Sequence, residues 1–422
     1  MMNPCLKNSL PPLRLQFRNA NWFRPSKLGA CLVSVLMTAG WAHAATGDAS
    51  IARAALQPPP VILDPSADRH GDAVRLFQGI PGIERAPNGR LWATWYANNV
   101  EADEGPDNYV VLVTSADDGA TWSAPVLAVD PGGPVRAFDP VLWIDPNGRM
   151  WLFWSQAHTF WDGRGGVWAV TTDNPEAARP TWSPSRRLFN GVMMNKPTVL
   201  SNGDWIAPAA VWKREVRLTG RRAISDERAI ALTPDEMYSN VLRSRDDGES
   251  WSLAGQADVA GRTFDEHMFV ERNDGSLWML VRTNYGIGES FSTDGGVTWT
   301  QGRESGIDHV SARFFIRRLA SGRLLLIKHS PPEENRRRSH LTAFLSDDDG
   351  KNWKGGLLLD ERFGVSYPDA VETEDGMIYA IYDYDRAGER KILLAVFTEK
   401  DVLAGETVTP GARLRVTVNQ AD

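Results

Sequence analysis

Cysteine is almost absent from this chain. Its 422 residues contain two, Cys5 and Cys31, both close to the N-terminus. No disulfide framework can hold the remainder together. Histidine is also scarce, at seven residues, and no His-rich or Cys-rich spacing suited to a metal appears, so neither a metal nor a cofactor is expected. No apolar run beyond the first 44 residues is long enough to cross a membrane. Basic residues are outnumbered by acidic ones, 46 to 53, for a formal charge of −7. That balance argues against nucleic acid as a partner.

The N-terminal segment has the opposite charge. Lys7, Arg14, Arg18, Arg24 and Lys27 come without any acid, and an apolar run from Leu28 to Trp41 follows. Ala42-His43-Ala44 supplies the small-x-small pattern of a signal-peptidase site. Residues 1–44 are therefore expected to be a signal peptide that takes both cysteines with it, and the mature protein to be periplasmic or extracellular without membrane insertion. Residues 45–70, with Pro58-Pro59-Pro60, read as a loose lead-in, and 71–422 as one folded unit.

What the chain has in abundance is repetition. Asn88-Gly89-Arg90-Leu91-Trp92 returns as Asn147-Gly148-Arg149-Met150-Trp151, Asn202-Gly203-Asp204-Trp205 and Asp274-Gly275-Ser276-Leu277-Trp278. Ser321-Gly322-Arg323-Leu324 and Asp375-Gly376-Met377-Ile378 complete the series. Asn-Gly and Asp-Gly between apolar runs mark tight hairpins, because such turns need positive φ. Six hairpins whose glycines are 47 to 72 residues apart predict an all-β fold, a six-bladed β-propeller with four strands per blade. Many of the 17 Trp fall at repeated positions, so the Trp richness is mainly architectural.

A second motif follows four of the hairpins: Ser115–Trp122, Ser244–Trp251, Ser292–Trp299 and Ser346–Trp353. It reads Ser-x-Asp-x-Gly-x-Thr-Trp, with a degraded copy at Thr172-Asp173 and Trp182. Its Asp and Ser/Thr oxygens suit the local amides of a turn, its Gly the strained φ, and its Trp a place beneath. A calcium loop would need a later Glu that the motif lacks, so the motif is assigned to structure.

The repeats also locate a site. The position nine residues before each turn Gly should face the position seven after it, at the same end of two paired strands. In phase, this gives Ile80/Tyr96, Asp139/Ser155, Glu266/Arg282, Arg313/His329 and Tyr367/Asp383, with Lys196 entering from the shorter third repeat. An ordinary cross-strand ion pair would account for Glu266 and Arg282, and a core role for Tyr367. A whole ring of polar strand ends converging on one axis favours a ligand site.

This Ser-x-Asp-x-Gly-x-Thr-Trp motif, an Asp box, carried by four of six repeats, resembles the sialidase (neuraminidase) superfamily over roughly residues 75–400. The resemblance implies a glycan substrate and assigns roles. In that family a Glu precedes an Asp-Gly-x-Leu strand ending in Arg, which matches Glu266 and Arg282. An Arg one strand before an Asp box matches Arg338, with Arg336 and Arg337 as rivals. A nucleophilic Tyr before the last Asp-Gly-x-Ile matches Tyr367. The family's acid lies in the loop after the first hairpin, here residues 98–108, with Glu101, Asp103, Glu104 and Asp107. Asp107 is the first choice and Asp103 the second.

The first blade departs from the family. An Arg-Ile-Pro is expected, and this chain has Gly79-Ile80-Pro81. The missing charge would have to come from Arg313 or Lys196, or else the sugar is not an ordinary sialic acid. The implied chemistry is retaining hydrolysis with Tyr367 as nucleophile and Glu266 as its base. Arg282, Arg338, Arg313, Lys196, Asp139, His329 and Asp383 would bind substrate. Three rivals stand beside it: a glycosidase for another sugar, a polysaccharide lyase using Tyr367 or His329, and a carbohydrate-binding propeller without catalysis.

Overall fold

A computed structural model describes residues 53–212 and 234–422. The expected signal peptide and both cysteines lie outside the described residues. The fold is the expected propeller. Six antiparallel sheets follow one another along the chain, five of four strands and the first of five. The innermost strands are Phe77–Arg85, Val135–Ile144, Thr198–Val199, Arg262–Glu271, Phe315–Arg318 and Val365–Glu372. Each leads through its Gly turn into the second strand of the same blade. Part of the lead-in is built into the fold: Val61–Leu63 pairs with Leu127–Val129 as a fifth strand on the first blade.

The second strands are buried throughout, as in Leu91–Asn98 and Met150–His158. They read as nearly continuous apolar runs because neighbouring blades cover both faces. Tryptophan fills the gaps. Trp143 and Trp205 meet edge to face at 4.8 Å across the second and third blades. The indole of Trp151 donates to Asp145 at 2.8 Å and that of Trp278 to Glu289 at 2.9 Å, so neither buries an orphan donor.

The Asp boxes are turns locked by their own side chains. Ser115 Oγ accepts from Gly119 N at 2.9 Å, and the Asp117 carboxylate accepts from both the amide and hydroxyl of Thr121. The same pattern closes the boxes at Asp246, Asp294 and Asp348. These bonds, led by the Thr121 and Ser250 hydroxyls, hold Asp117 and Asp246 at about 2, below the usual carboxylate range. The degraded copy is open: Thr172 still accepts from Asn174, but Asp173 pairs with Arg149.

Among the described residues, blade six is built from the C-terminal strands alone, with no exchanged strand to close the ring. Side chains do it. Asp383 Oδ2 accepts from Ile80 N at 2.8 Å, and Asp369 Oδ2 from Ile83 N at 2.9 Å. Asn419 of the last strand accepts from Arg75 and Gln78.

Candidate active site

Four of the five cross-strand pairs expected from repeat phase are one residue out of register. The ladder pairs Gly79 with Tyr96, Phe138 with Ser155, Asp265 with Arg282 and Ser366 with Asp383, and a bulge follows immediately. The in-phase residue occupies that bulge with positive φ: Ile80 at 58°, Asp139 at 50°, Glu266 at 44° and Tyr367 at 55°. Repeat phase alone implies an unbroken ladder. A bulge opposes two residues to one and re-aims a side chain, and all four bulge residues line one cavity on the axis. Around Glu266 the strain extends over three non-glycine residues, with Phe264 and Asp265 also near φ 55°. In the fifth blade the ladder keeps the expected register, Phe315 with Ile327, and stops short of Arg313 and His329.

The cavity holds about 250 Å³. One wall is apolar, made by Ile80, Phe160, Met194, Trp212 and Phe264. The other carries Tyr96, Asp103, Glu104, Arg136, Asp139, Glu266, Arg282, Arg338, Tyr367 and Arg386. Arg282 Nη1 sits 2.5 Å from Glu266 Oε1 and donates to the Tyr367 hydroxyl at 3.5 Å. Glu266 Oε2 is buried and has no hydrogen-bond partner among the described residues. The guanidinium of Arg338 stands 5.2 Å from the Tyr367 ring centre and that of Arg386 5.1 Å. Burial, followed by the Glu266 charge, pushes the Tyr367 phenol above its usual value, against the pull of Arg338, Arg282 and Arg386. Burial also lifts Asp139 well above its usual value, against the pull of Arg136.

Of the ten residues singled out in the sequence, Tyr367, Glu266, Asp139, Arg282 and Arg338 share this cavity. Lys196 lies beneath it, bonding Glu84 and the Ile83 and Leu142 carbonyls and lying 3.2 Å from Asp369. Arg313 joins the same axial network through Asn195 at 2.9 Å and Asp369 at 3.9 Å. Neither reaches the cavity to replace the missing first-blade Arg. Asp383 is held behind Ile80, where burial raises its carboxyl to about 6. His329 stacks on His309 with ring centres 5.5 Å apart. Asp107 lines a separate hollow with Arg69, Asn99 and Asp130.

Sequence reasoning did not single out Arg386, Arg136 or Tyr96, and placed Glu104 behind Asp107 and Asp103. Tyr96 was legible as the partner position of Ile80. Arg386 was not, because it sits in a hairpin outside the repeat phase and enters the cavity over Gly79. Its Nη1 pairs with Glu104 Oε1 at 2.6 Å. A second, wider hollow of about 600 Å³ opens beside the cavity and shares Asp103, Arg338 and Arg386 with it.

Six blades, four of them closed by Asp boxes, around a polar axial cavity define a sialidase-like propeller. The chain belongs to the BNR repeat-like domain family, which matches residues 89–380. It is 27% identical to the anhydrosialidase of Macrobdella decora over 185 residues, 39% of this chain but only 23% of that protein. Among solved structures it resembles the Hadza microbial sialidase Hz136, with a TM-score of 0.61 at 18% identity, over 79% of this chain and 68% of that one. The intramolecular trans-sialidase of Ruminococcus gnavus, in complex with oseltamivir carboxylate, gives 0.59 at 16% identity, over 81% of this chain and 98% of that one.

Proposed function

We propose that the protein is an exo-glycosidase that removes a terminal acidic, sialic-acid-like sugar with retention of configuration. The observation that carries this reading is the single guanidinium of Arg282 joining Glu266 to Tyr367 beneath a cavity that also holds Arg338 and Arg386. A sugar whose anomeric carbon bears a carboxylate repels an anionic nucleophile, and a neutral phenol avoids that repulsion. The Tyr367 oxygen attacks the anomeric carbon, and its proton passes to Glu266 Oε2, the unoccupied acceptor. The guanidinium groups hold the sugar carboxylate by charge-assisted bonds. An acid of the loop 98–108 protonates the leaving oxygen, and of its carboxylates Asp103 and Glu104 line the cavity. Water then resolves the tyrosyl intermediate. Similarity to proteins described as a sialidase, an anhydrosialidase and an intramolecular trans-sialidase supports the sugar class.

The test is a panel of aryl glycosides of N-acetylneuraminate, uronates and neutral sugars, with the product followed by NMR. Release of the α-anomer of N-acetylneuraminate supports the proposal, and an anhydro-sugar product would keep the sugar class while replacing water as acceptor. Turnover of uronates or neutral sugars alone, an unsaturated product absorbing in the near ultraviolet, or binding without turnover would each overturn it.

A further inference from the structure

Gly79 and Arg386 are a matched pair. A methyl group built on Gly79 would overlap Cγ and Cδ of Arg386 and come within 2.8 Å of Asp383 Oδ2. The absence of a side chain on the first blade is therefore what lets an arginine from the last blade cross into the cavity. Once there, its guanidinium stands 5.1 Å from the Tyr367 ring centre, the same height as Arg338 at 5.2 Å on that ring. The two differ in their partners. Arg338 bonds Ser366 Oγ and the Ser311 carbonyl, both neutral. Arg386 already holds a carboxylate, Glu104, at 2.6 Å.

We propose that Glu104 is the resting counter-ion of Arg386, that the carboxylate of the incoming sugar takes its place, and that the displaced Glu104 becomes the proton donor to the leaving oxygen. This rests on the glycosidase reading above and adds the device by which the donor is armed. The physical reason is competition for one guanidinium. Arg386 can form a short, aligned pair with one carboxylate, and a sugar that also engages Arg338 and Arg282 has the advantage of three cations. Glu104 is then left facing Tyr96 of the first blade, Arg136 and Asp139 of the second, and its neighbour Asp103, in a cavity closed by the sugar. Arg136 is the one cation among them, and it packs on Phe138 and Phe160 at 3.6 and 4.1 Å. In the resting state burial pushes the Glu104 carboxyl up, and Arg386, followed by Arg136, pulls it below the usual range. The sugar carboxylate neutralises Arg386, so burial is then opposed only by Arg136 and the Tyr96 hydroxyl, and Glu104 takes up a proton as the sugar enters. That proton then goes to the glycosidic oxygen as the bond to the anomeric carbon breaks, leaving Glu104 as a carboxylate that Arg386 takes back only when the sugar departs.

Calorimetry with 2-deoxy-2,3-dehydro-N-acetylneuraminic acid as the probe tests this without turnover. Titrations of the full chain in two buffers of different ionisation enthalpy measure protons taken up on binding. Wild type should take up about one proton per ligand near neutral pH, and Glu104→Gln, an isosteric change, should take up none. Arg386→Met should weaken the probe about tenfold or more and abolish the uptake. Gly79→Ala should act in the same direction by crowding Arg386, with melting curves confirming that each variant is folded. Glu104→Gln should also slow a substrate with a poor leaving group far more than an aryl glycoside whose phenolate leaves unaided. If the probe does not bind wild type, the sugar class and this inference fall together. If it binds without proton uptake, or if uptake persists in Glu104→Gln, the exchange is wrong while the glycosidase reading stands.

Discussion

Arg282 touches both Glu266, at 2.5 Å, and the Tyr367 hydroxyl, at 3.5 Å, so one guanidinium fixes the acceptor and the donor of the proposed proton transfer. Both lie at bulges with positive φ, on inner strands of two different blades. The first prediction follows from that shared contact. Tyr367→Phe removes one oxygen from a buried ring and should cut turnover by about 10²-fold or more, with a melting temperature close to wild type. Glu266→Gln should also slow turnover, and the double variant should be little worse than the slower single one, because the groups act as a unit. Retained turnover with lowered stability in Tyr367→Phe would return that tyrosine to the core.

Lys196 should behave in the opposite way. It is buried on the axis against Glu84 and Asp369, outside the cavity. Lys196→Met would leave two buried carboxylates without their nearest cation, at a cost of about 3–5 kcal/mol. Denaturant unfolding of the variant measures this. The folded fraction should keep wild-type affinity for substrate, and a selective rise in KM without loss of stability would place Lys196 in the site instead.

Stability should fall in mild acid. Burial holds His309 at about 3 and His267 at about 4, and it depresses His329 well below its usual value. All three are neutral when folded, whereas an unfolded His titrates near ~6.5. The unfolded chain therefore binds more protons as pH drops through ~6.5, and the contribution present above that pH is lost progressively on the way down to ~4, by about 1.4 kcal/mol per unit for each fully buried ring. Melting curves from pH ~8 to ~4 should show the decline, and His267→Gln should make it shallower. A flat profile over that range would contradict it.

Calcium and chelators should leave both the melting temperature and turnover unchanged, because the Asp-box carboxylates are already occupied by their own turns. What the boxes do require is glycine. Gly248 has φ of 80°, and a Cβ there would meet Trp151 and Trp205. Gly248→Ala should cost more than ~1 kcal/mol through both strain and overlap. A melting temperature equal to wild type would show that this turn tolerates a side chain.

We also propose that the exported protein begins near Ala45. Intact-mass measurement of secreted material should find the first 44 residues removed, and recovery of the full-length chain from the exterior would contradict it.

The sequence by itself determined the architecture. Gly turns at blade spacing and four self-locking Asp boxes are local features, and local hydrogen bonding makes them hairpins whatever surrounds them. It also determined half of the site, because Glu266, Asp139 and Tyr367 occupy one repeat phase, and residues in phase on a ring reach the same axis. Three things were left to tertiary structure. The bulges that turn those side chains inward break the ladder register, and alternation along a strand does not foresee an inserted residue. Lys196 and Arg313 kept the right height but were drawn into an ion network, because buried charges need partners and Glu84 and Asp369 arrive from other blades. Arg386 reaches the cavity only because ring closure brings the last blade against Gly79, and a contact between residues some 300 apart is decided by the closed ring and by nothing local to either.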